Sequence, residues 1–376
     1  MHDNKTLHYI KEELENMPSG WLSLTTHRLD IYDEKLAKIE FLEQFEILFN
    51  TNNSESSALS KLPTAYDYIR LGHPLSSILE WAVAKLNNQK PENVISFSSK
   101  TIPIYAILRS NLLYKKNTQI LYTGELPECF DAEILRNIYG YKFELKKVEK
   151  VDDICEFNGS TIFVSQQDEM NSIDITPNID FFIGLHSHLG SILLVNGAKN
   201  ESYVSEIQHV RRRETIAMTP ADSLNALKLL IDKTSVHIIK SNVEANKTSV
   251  LNSIKAITGT DTKPLVASSG LSMQYSIMMG LIHDALEEHK GKAIKIIVPT
   301  NCYGGTNDQA RRVAACLDNV EVVDLAVDGD NNMVQSIDIV LNKIANEDAV
   351  PYIIAEIPTN PRVEVPDLII LKNVLS

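Results

Sequence analysis

From residue 264 onward the chain alternates short apolar runs with amphipathic stretches, and this alternation limits the fold more than any other feature. An apolar run at 264–267 leads into Ser268-Ser269-Gly270-Leu271. A helical pattern follows, with Ile277, Met278, Leu281, Ile282 and Ala285 on one stripe. The spacing predicts strands at 293–298, 320–325 and 352–355, with a helix between the last two that carries Ile337, Val340, Leu341 and Ile344. Repeated β-α units with nearly continuous apolar strands imply a parallel sheet covered on both faces. Three loops fall just beyond predicted strands: Ser268-Ser269-Gly270-Leu271, Tyr303-Gly304-Gly305-Thr306 and Glu356-Ile357-Pro358-Thr359-Asn360-Pro361. Open α/β sheets bind ligands at that edge.

Each loop has its own chemistry. At Ser269-Gly270-Leu271, glycine lets the backbone approach an anion, and the first amides of the next helix point at it. The ordinary alternative is a tight turn. Tyr303 beside two glycines can lie flat and stack on a planar heterocycle. The alternative there is a helix entry capped by Thr306 or Asn307. The two prolines of the third loop fix an extended chain that presents the Asn360 amide at a defined angle.

Composition narrows the function classes. Apolar residues make up 44% and charged residues 23%, which suits a folded globular chain. The net charge of -13 argues against nucleic acid as a partner. The run Arg211-Arg212-Arg213 reads as a solvated helix face. Cys129, Cys155, Cys302 and Cys316 are too scattered for a Cys-x-x-Cys site, so a reduced, cytoplasmic protein is expected. No run reaches membrane-spanning length, and no membrane partner is expected.

Upstream, Ile39, Leu42, Phe45 and Phe49 recur at helical spacing, and 51–57 is polar enough to be a linker. A second helix is expected over 75–86, with Ile78, Leu79, Ala82 and Leu86 on one face.

Residues 264–361 resemble the Cys/Met-metabolism group of enzymes that depend on pyridoxal 5'-phosphate (PLP), the cystathionine γ-synthase and β-lyase type. The resemblance implies that Ser269, Gly270 and Leu271 hold the PLP phosphate, Tyr303 stacks on its pyridine ring and Asn360 contacts its 3'-oxygen. The family's Schiff-base lysine and its pyridine-nitrogen aspartate have no counterpart here. Asp367 follows Pro361 too closely, and Lys372 falls in a predicted helix. The expected set of catalytic residues in this chain is therefore empty.

A second stretch looks like a degenerate copy of the same fold. Tyr68-Ile69-Arg70-Leu71-Gly72-His73-Pro74 is similar to the family's Tyr-Ser-Arg arm, which implies that Tyr68 and Arg70 bind a PLP phosphate held elsewhere. Phe97-Ser98-Ser99-Lys100 resembles the phosphate loop with lysine in place of glycine. Residues 183–190 resemble a shortened Schiff-base segment, with no lysine between Lys150 and Lys199. Its His186 and His188, at i, i+2 with no nearby acid or cysteine, read as structural rather than metal-binding. Where the first copy has Tyr-x-Arg, the second has Ile238-Ile239-Lys240-Ser241.

The expected architecture is thus an α/β PLP-transferase fold of the aspartate-aminotransferase type, a mostly parallel sheet flanked by helices. It comprises a helical extension and linker (1–59), a degenerate copy (60–235) and an incomplete second copy (236–376). The expected function is the N-terminal part of a PLP-dependent transsulfuration enzyme, acting on an amino-acid substrate by replacement or elimination. A homo-oligomer or a complementing C-terminal chain would complete it, and an exposed sheet edge is expected where the fold is cut. The competing reading is a non-catalytic paralogue that serves as an assembly partner or ligand sensor. An aminotransferase on the same fold is a further alternative, less suited to the Tyr-Gly-Gly-Thr loop.

Overall fold

The computed structural model describes residues 2–23, 34–66, 68–151, 154–166, 173, 175–232, 242–328, 332–359 and 362–376. In chain order the helices are α1 (His2–Asn16), α2 (Glu34–Asn50), α3 (Ser56–Leu59), α4 (Pro74–Leu86), α5 (Ile102–Leu113), α6 (Ala132–Asn137) and α7 (Tyr203–Glu214). They continue with α8 (Pro220–Asp232), α9 (Val243–Thr258), α10 (Gly270–Glu288), α11 (Gly304–Cys316), α12 (Met333–Asn346) and α13 (Leu368–Leu375). The strands are β1 (Val94–Phe97), β2 (Thr118–Thr123), β3 (Glu144–Lys147), β4 (Ser160–Gln166), β5 (Phe181–His186), β6 (Gly190–Val195), β7 (Ile294–Pro299), β8 (Val320–Leu325) and β9 (Val350–Ile353).

The chain divides into two compact units. One comprises residues 1–131 and 142–268, the other residues 132–141 and 269–376. The first is built on a mixed six-stranded sheet of order β1-β6-β5-β4-β2-β3. Strands β5, β4, β2 and β3 run parallel, and β6 runs antiparallel to both β5 and β1. β5 and β6 are buried along their whole length because their apolar residues run without alternation. The turn between them is tight: Gly190 has φ +107°, and a Cβ there would lie 2.1 Å from the Phe97 carbonyl oxygen. Only glycine fits so close to a neighbouring backbone.

The predicted stripe of α2 is the one that packs. Leu42, Phe45 and Phe49 are buried, and Phe45 and Phe49 meet the Trp81 ring of α4 edge-on at 5.2 and 5.1 Å. Tyr9 of α1 closes this aromatic cluster at 5.7 Å from Phe45.

The Arg211-Arg212-Arg213 run is not a solvated face. Arg211 is fully buried and donates to Glu80 Oε1 at 2.8 Å, to the Ser96 carbonyl at 2.9 Å and to Tyr66 Oη at 3.2 Å. Lys38 reaches the other Glu80 oxygen at 2.6 Å and bonds the carbonyls of Pro91 and Val94. Burial alone would push the Glu80 carboxyl up, but the two cations beside it outweigh burial and hold it down at about 2. Three charges can share a core here because each has hydrogen-bonding partners as well as an opposite charge. A triple-arginine string carries no sign of which member faces inward.

The second unit holds a three-stranded, all-parallel sheet of order β8-β7-β9. β7 is its buried centre, with Ile294, Ile296, Ile297 and Val298 all inaccessible to solvent. The sheet is less covered than the sequence implies, since only Val320 and Leu325 of β8 and no residue of β9 are buried. A three-stranded sheet has two edges and only one interior strand, so continuous apolar runs do not guarantee two covered faces. The run at 264–267 also departs from expectation. It forms no strand, and Leu265 and Val266 are 73% and 41% exposed. Four residues headed by a proline, with no described neighbour to pair with, gain too little from a ladder.

Both sheets share a local order. The six-stranded sheet contains β3-β2-β4 and the smaller one is β8-β7-β9, so in each the earliest strand of three lies in the middle. No described helix is long and apolar enough to cross a membrane.

Candidate functional site

In the second unit, Ser269 is the N-cap of α10. Its Oγ accepts the Ser272 amide at 3.0 Å, and Ser272 Oγ accepts the Ser269 amide at 3.0 Å, a reciprocal capping box. This helix start is the product of Ser-x-x-Ser spacing. The next amides, of Gly270 and Leu271, have no intrahelical acceptor by their position in the first turn. A Cβ built on Gly270 meets nothing within 4 Å, so the approach to these amides is open. Leu271 turns inward and is buried.

Tyr303 occupies the N-cap position of α11 without capping it through its side chain, and its ring is 46% exposed. The ring lies back over Gly305, where a Cβ would come within 2.5 Å of Tyr303 Cε1 and 2.9 Å of Leu271 Cδ1. The second glycine of the loop is therefore a packing requirement that joins the Tyr303 and Ser269 loops. Thr306 and Asn307 are not the helix cap, because α11 begins earlier, at Gly304.

Thr306 instead links all three loops. Its hydroxyl lies 2.7 Å from Glu356 Oε1 and 3.2 Å from Gln274 Oε1. The shorter contact is the better donation, since one hydroxyl carries one proton and a carboxylate is the stronger acceptor. Gln274 Nε2 is buried without an acceptor among the described residues. The motif alone does not single out Gln274 or give Glu356 a role; the available signal is the position of Glu356 just beyond β9, three residues before Thr359.

Asn360 and Pro361 lie outside the described residues. On either side of them, Thr359 donates its amide to the Glu364 carbonyl at 3.0 Å and accepts from the Val363 amide at 2.8 Å. Asn301 Nδ2 donates to Glu364 at 3.0 Å. Thr359 is thus bonded directly to Val363 and Glu364. Asp367 accepts from the amides of Ile369 and Ile370 as the N-cap of α13, which occupies its carboxylate locally. Lys372 lies in that helix.

In the first unit, Tyr68 and Arg70 are half-buried. Arg70 donates to the Arg213 carbonyl at 3.3 Å, and the guanidinium carbons of Arg70 and Arg212 lie 6.0 and 5.0 Å from the Tyr68 ring centroid. Beside β1, Lys100 extends to the Ser187 carbonyl at 2.6 Å, in the β5–β6 turn. Ser99 Oγ takes the Ile102 amide at 3.1 Å, and Ser191 Oγ donates to the Ser99 carbonyl at 2.6 Å. That strand end is filled by its own side chains. In the same turn His186 Nδ1 accepts the His188 amide at 3.2 Å.

No family model and no curated protein matches the chain. Among solved structures it is similar to cystathionine gamma synthase from Xanthomonas oryzae pv. oryzae, at 12% identity and a TM-score of 0.31, over 52% of this chain and 59% of that one. Cystathionine gamma-lyase from yeast aligns at 13% identity and a TM-score of 0.35, over 59% of this chain and 63% of that one. A protein described as O-acetylhomoserine (thiol)-lyase from Campylobacter jejuni subsp. jejuni, bearing N'-pyridoxyl-lysine-5'-monophosphate, aligns at 12% identity and a TM-score of 0.30, over 59% of this chain and 70% of that one. The chain thus spans under two thirds of the length of the synthase and of the yeast lyase.

Proposed function

We propose that the second unit binds PLP at the Gly270, Tyr303 and Glu356 loops, as part of a sulfur-amino-acid enzyme of the cystathionine γ-synthase/β-lyase type. The observation that carries this reading is the convergence of three strand-end and helix-start loops. Gly305 seats the Tyr303 ring against Leu271, and Thr306 ties the Glu356 loop to α10. The residues fit the phosphate and ring of the cofactor. An open helix start with a Cβ-free Gly270 suits a phosphate, and a half-exposed tyrosine ring held at that helix suits a planar heterocycle.

When bound, PLP supplies an electron sink for a carbanion at the substrate's α-carbon. The protein's share is placement. The Gly270 and Leu271 amides hold the phosphate, Tyr303 covers one face of the ring, and Glu356 fixes the Thr306 end of α11. Asn360 would address the ring oxygen, and Tyr68 with Arg70 would grip the phosphate of a neighbouring subunit, as the family resemblance implies. Arginine suits that task because its planar fork bonds a phosphate bidentately. The shared order of β3-β2-β4 and β8-β7-β9 supports the reading of the first unit as a diverged copy.

PLP titration of the purified full chain, followed by ligand absorbance and calorimetry, tests the reading. Reversible binding is expected, with Tyr303→Ala and Arg70→Ala each weakening it about tenfold or more, roughly 1.4 kcal/mol. Unchanged affinity in Tyr303→Ala would remove the second-unit site, and unchanged affinity in Arg70→Ala would remove the arm.

A second reading, a non-catalytic assembly role, is favoured for the first unit alone. There Lys100 and Ser191 occupy the strand end that the second unit leaves open.

A further inference from the structure

The first unit contains a cavity of about 250 Å³ where α2, α7 and the 3₁₀ turn Pro91–Asn93 meet. Asn93 immediately precedes β1, so the cavity lies at the opposite end of that strand from the Ser99 and Lys100 loop. It is smaller than the roughly 300–1,000 Å³ of drug-sized sites, which limits an occupant to a small molecule.

Two amides set this cavity apart. Asn93 is 5% and Gln208 7% exposed, and both line the space. Neither side chain has a hydrogen-bonding partner among the described residues. Each amide carries two donor hydrogens and an acceptor oxygen. Leaving such groups unpaired costs a folded chain free energy, so their burial points to an occupant that satisfies them.

Both walls are held from behind. Lys38 Nζ bonds the Pro91 and Val94 carbonyls, on either side of Asn93, and lies 2.6 Å from Glu80. Arg211 pairs with the same carboxylate, three positions beyond Gln208 on one face of α7. Glu80 thus ties the Asn93 wall to the Gln208 wall.

The charges are divided by depth. Lys38 and Arg211 are buried and share only Glu80 among the described residues, which leaves the inner side one positive charge in excess. With three oxygens already around it, Lys38 offers an occupant charge rather than a free hydrogen bond. Nearer the surface, Lys90 pairs with Glu201 at 2.7 Å, while Glu92 has no ion-pair partner among the described residues. The rim therefore carries one negative charge in excess. Ile39 and Val204 give the cavity an apolar wall.

We propose that this cavity binds a free α-amino acid with an uncharged side chain. Its carboxylate takes the Asn93 and Gln208 amide hydrogens in the field of Lys38, and such charge-assisted bonds are stronger than neutral ones. Its ammonium faces Glu92, and its side chain lies on Ile39 and Val204. A zwitterion matches an inner cationic excess and an outer anionic excess at once. A simple anion would leave Glu92 unmatched, and a simple amine would leave the inner charge and both amides unmatched.

Calorimetry of the full chain with L-valine, L-leucine and L-methionine tests the site. At least one should bind with a Kd of about 1 mM or tighter. For the tightest of them, the analogues without the carboxyl group and without the amino group (isoamylamine and isocaproate in the case of leucine) should each bind about tenfold more weakly or worse. Gln208→Leu should weaken binding by a similar factor while leaving stability in urea equal or higher, since it removes an unpartnered buried amide. Glu92→Gln, in a half-buried residue without an ion pair, should weaken binding with no change in stability. Glu244→Gln, on the exposed face of α9, should leave binding unchanged.

No binding of any of the three would overturn the proposal and leave water as the occupant. Equal affinity for either analogue would overturn an amino acid as the ligand. Binding indifferent to both Gln208→Leu and Glu92→Gln would place it elsewhere on the chain and overturn the site. None of these readouts involves PLP, so failure here and failure of PLP binding are separate results.

Discussion

Two glycines in the second unit make opposite demands, and alanine substitutions separate them. At Gly305 a methyl group would strike the Tyr303 ring and Leu271, both parts of a packed contact. Gly305→Ala should destabilise by about 1–3 kcal/mol, the usual cost of overpacking, read by urea denaturation. At Gly270 a methyl meets nothing in the protein. Gly270→Ala should leave stability unchanged or slightly raised while lowering PLP affinity, because the methyl would fill the space a phosphate needs. Equal effects at both positions would sink this division of roles. Arg211 gives a third expectation. Arg211→Met removes one of two cations that hold Glu80 ionised in the core, and should cost about 3–5 kcal/mol by the same measurement.

The elements that the sequence made legible are those whose period matches their burial. The stripe at Leu42, Phe45 and Phe49 became the buried face of α2, and the apolar run at 320–325 became β8. Where burial depends on a distant partner, periodicity was silent. The 264–267 run has strand composition and no neighbouring strand to use it, and Arg211 is buried only because Glu80, some 130 positions earlier, waits inside the core. The loops were legible as chemistry, since Ser-x-x-Ser and Tyr-Gly-Gly act within a few residues. The Thr306–Glu356 bond that joins them spans fifty positions and needed the fold. At this scale the capping box of α10 can be tested directly. Ser269→Ala removes the acceptor of the Ser272 amide and should cost about 1 kcal/mol. PLP affinity should fall with it if the helix start holds the phosphate, and thermal denaturation beside PLP titration distinguishes the two effects.

At the scale of the whole molecule, two buried carboxylates of the first unit pull its stability in opposite directions with pH, one held down by neighbouring cations and the other pushed up by burial. Glu80 is held at about 2 against an ordinary 4.5. Its contribution is present above 4.5 and is lost as pH falls through that value towards 2. Glu13 of α1 is the reverse case. It is fully buried, neither oxygen has a hydrogen-bonding partner among the described residues, and burial pushes its carboxyl up to about 8. Above 4.5 the unfolded chain ionises this group while the folded chain keeps it protonated. The folded state then binds more protons, so stability falls as pH rises from 4.5 to 8 and levels off beyond. Glu13→Gln keeps the shape and removes the titration. The stability difference between the variant and the unmodified chain should therefore grow by about 1.4 kcal/mol per pH unit within that window. Tryptophan fluorescence is a suitable probe, because both tryptophans of the chain, Trp21 and Trp81, belong to the first unit. A difference that stays flat between pH 5 and 8 would mean that Glu13 is ionised in the folded chain, with a counter-charge or water beside it.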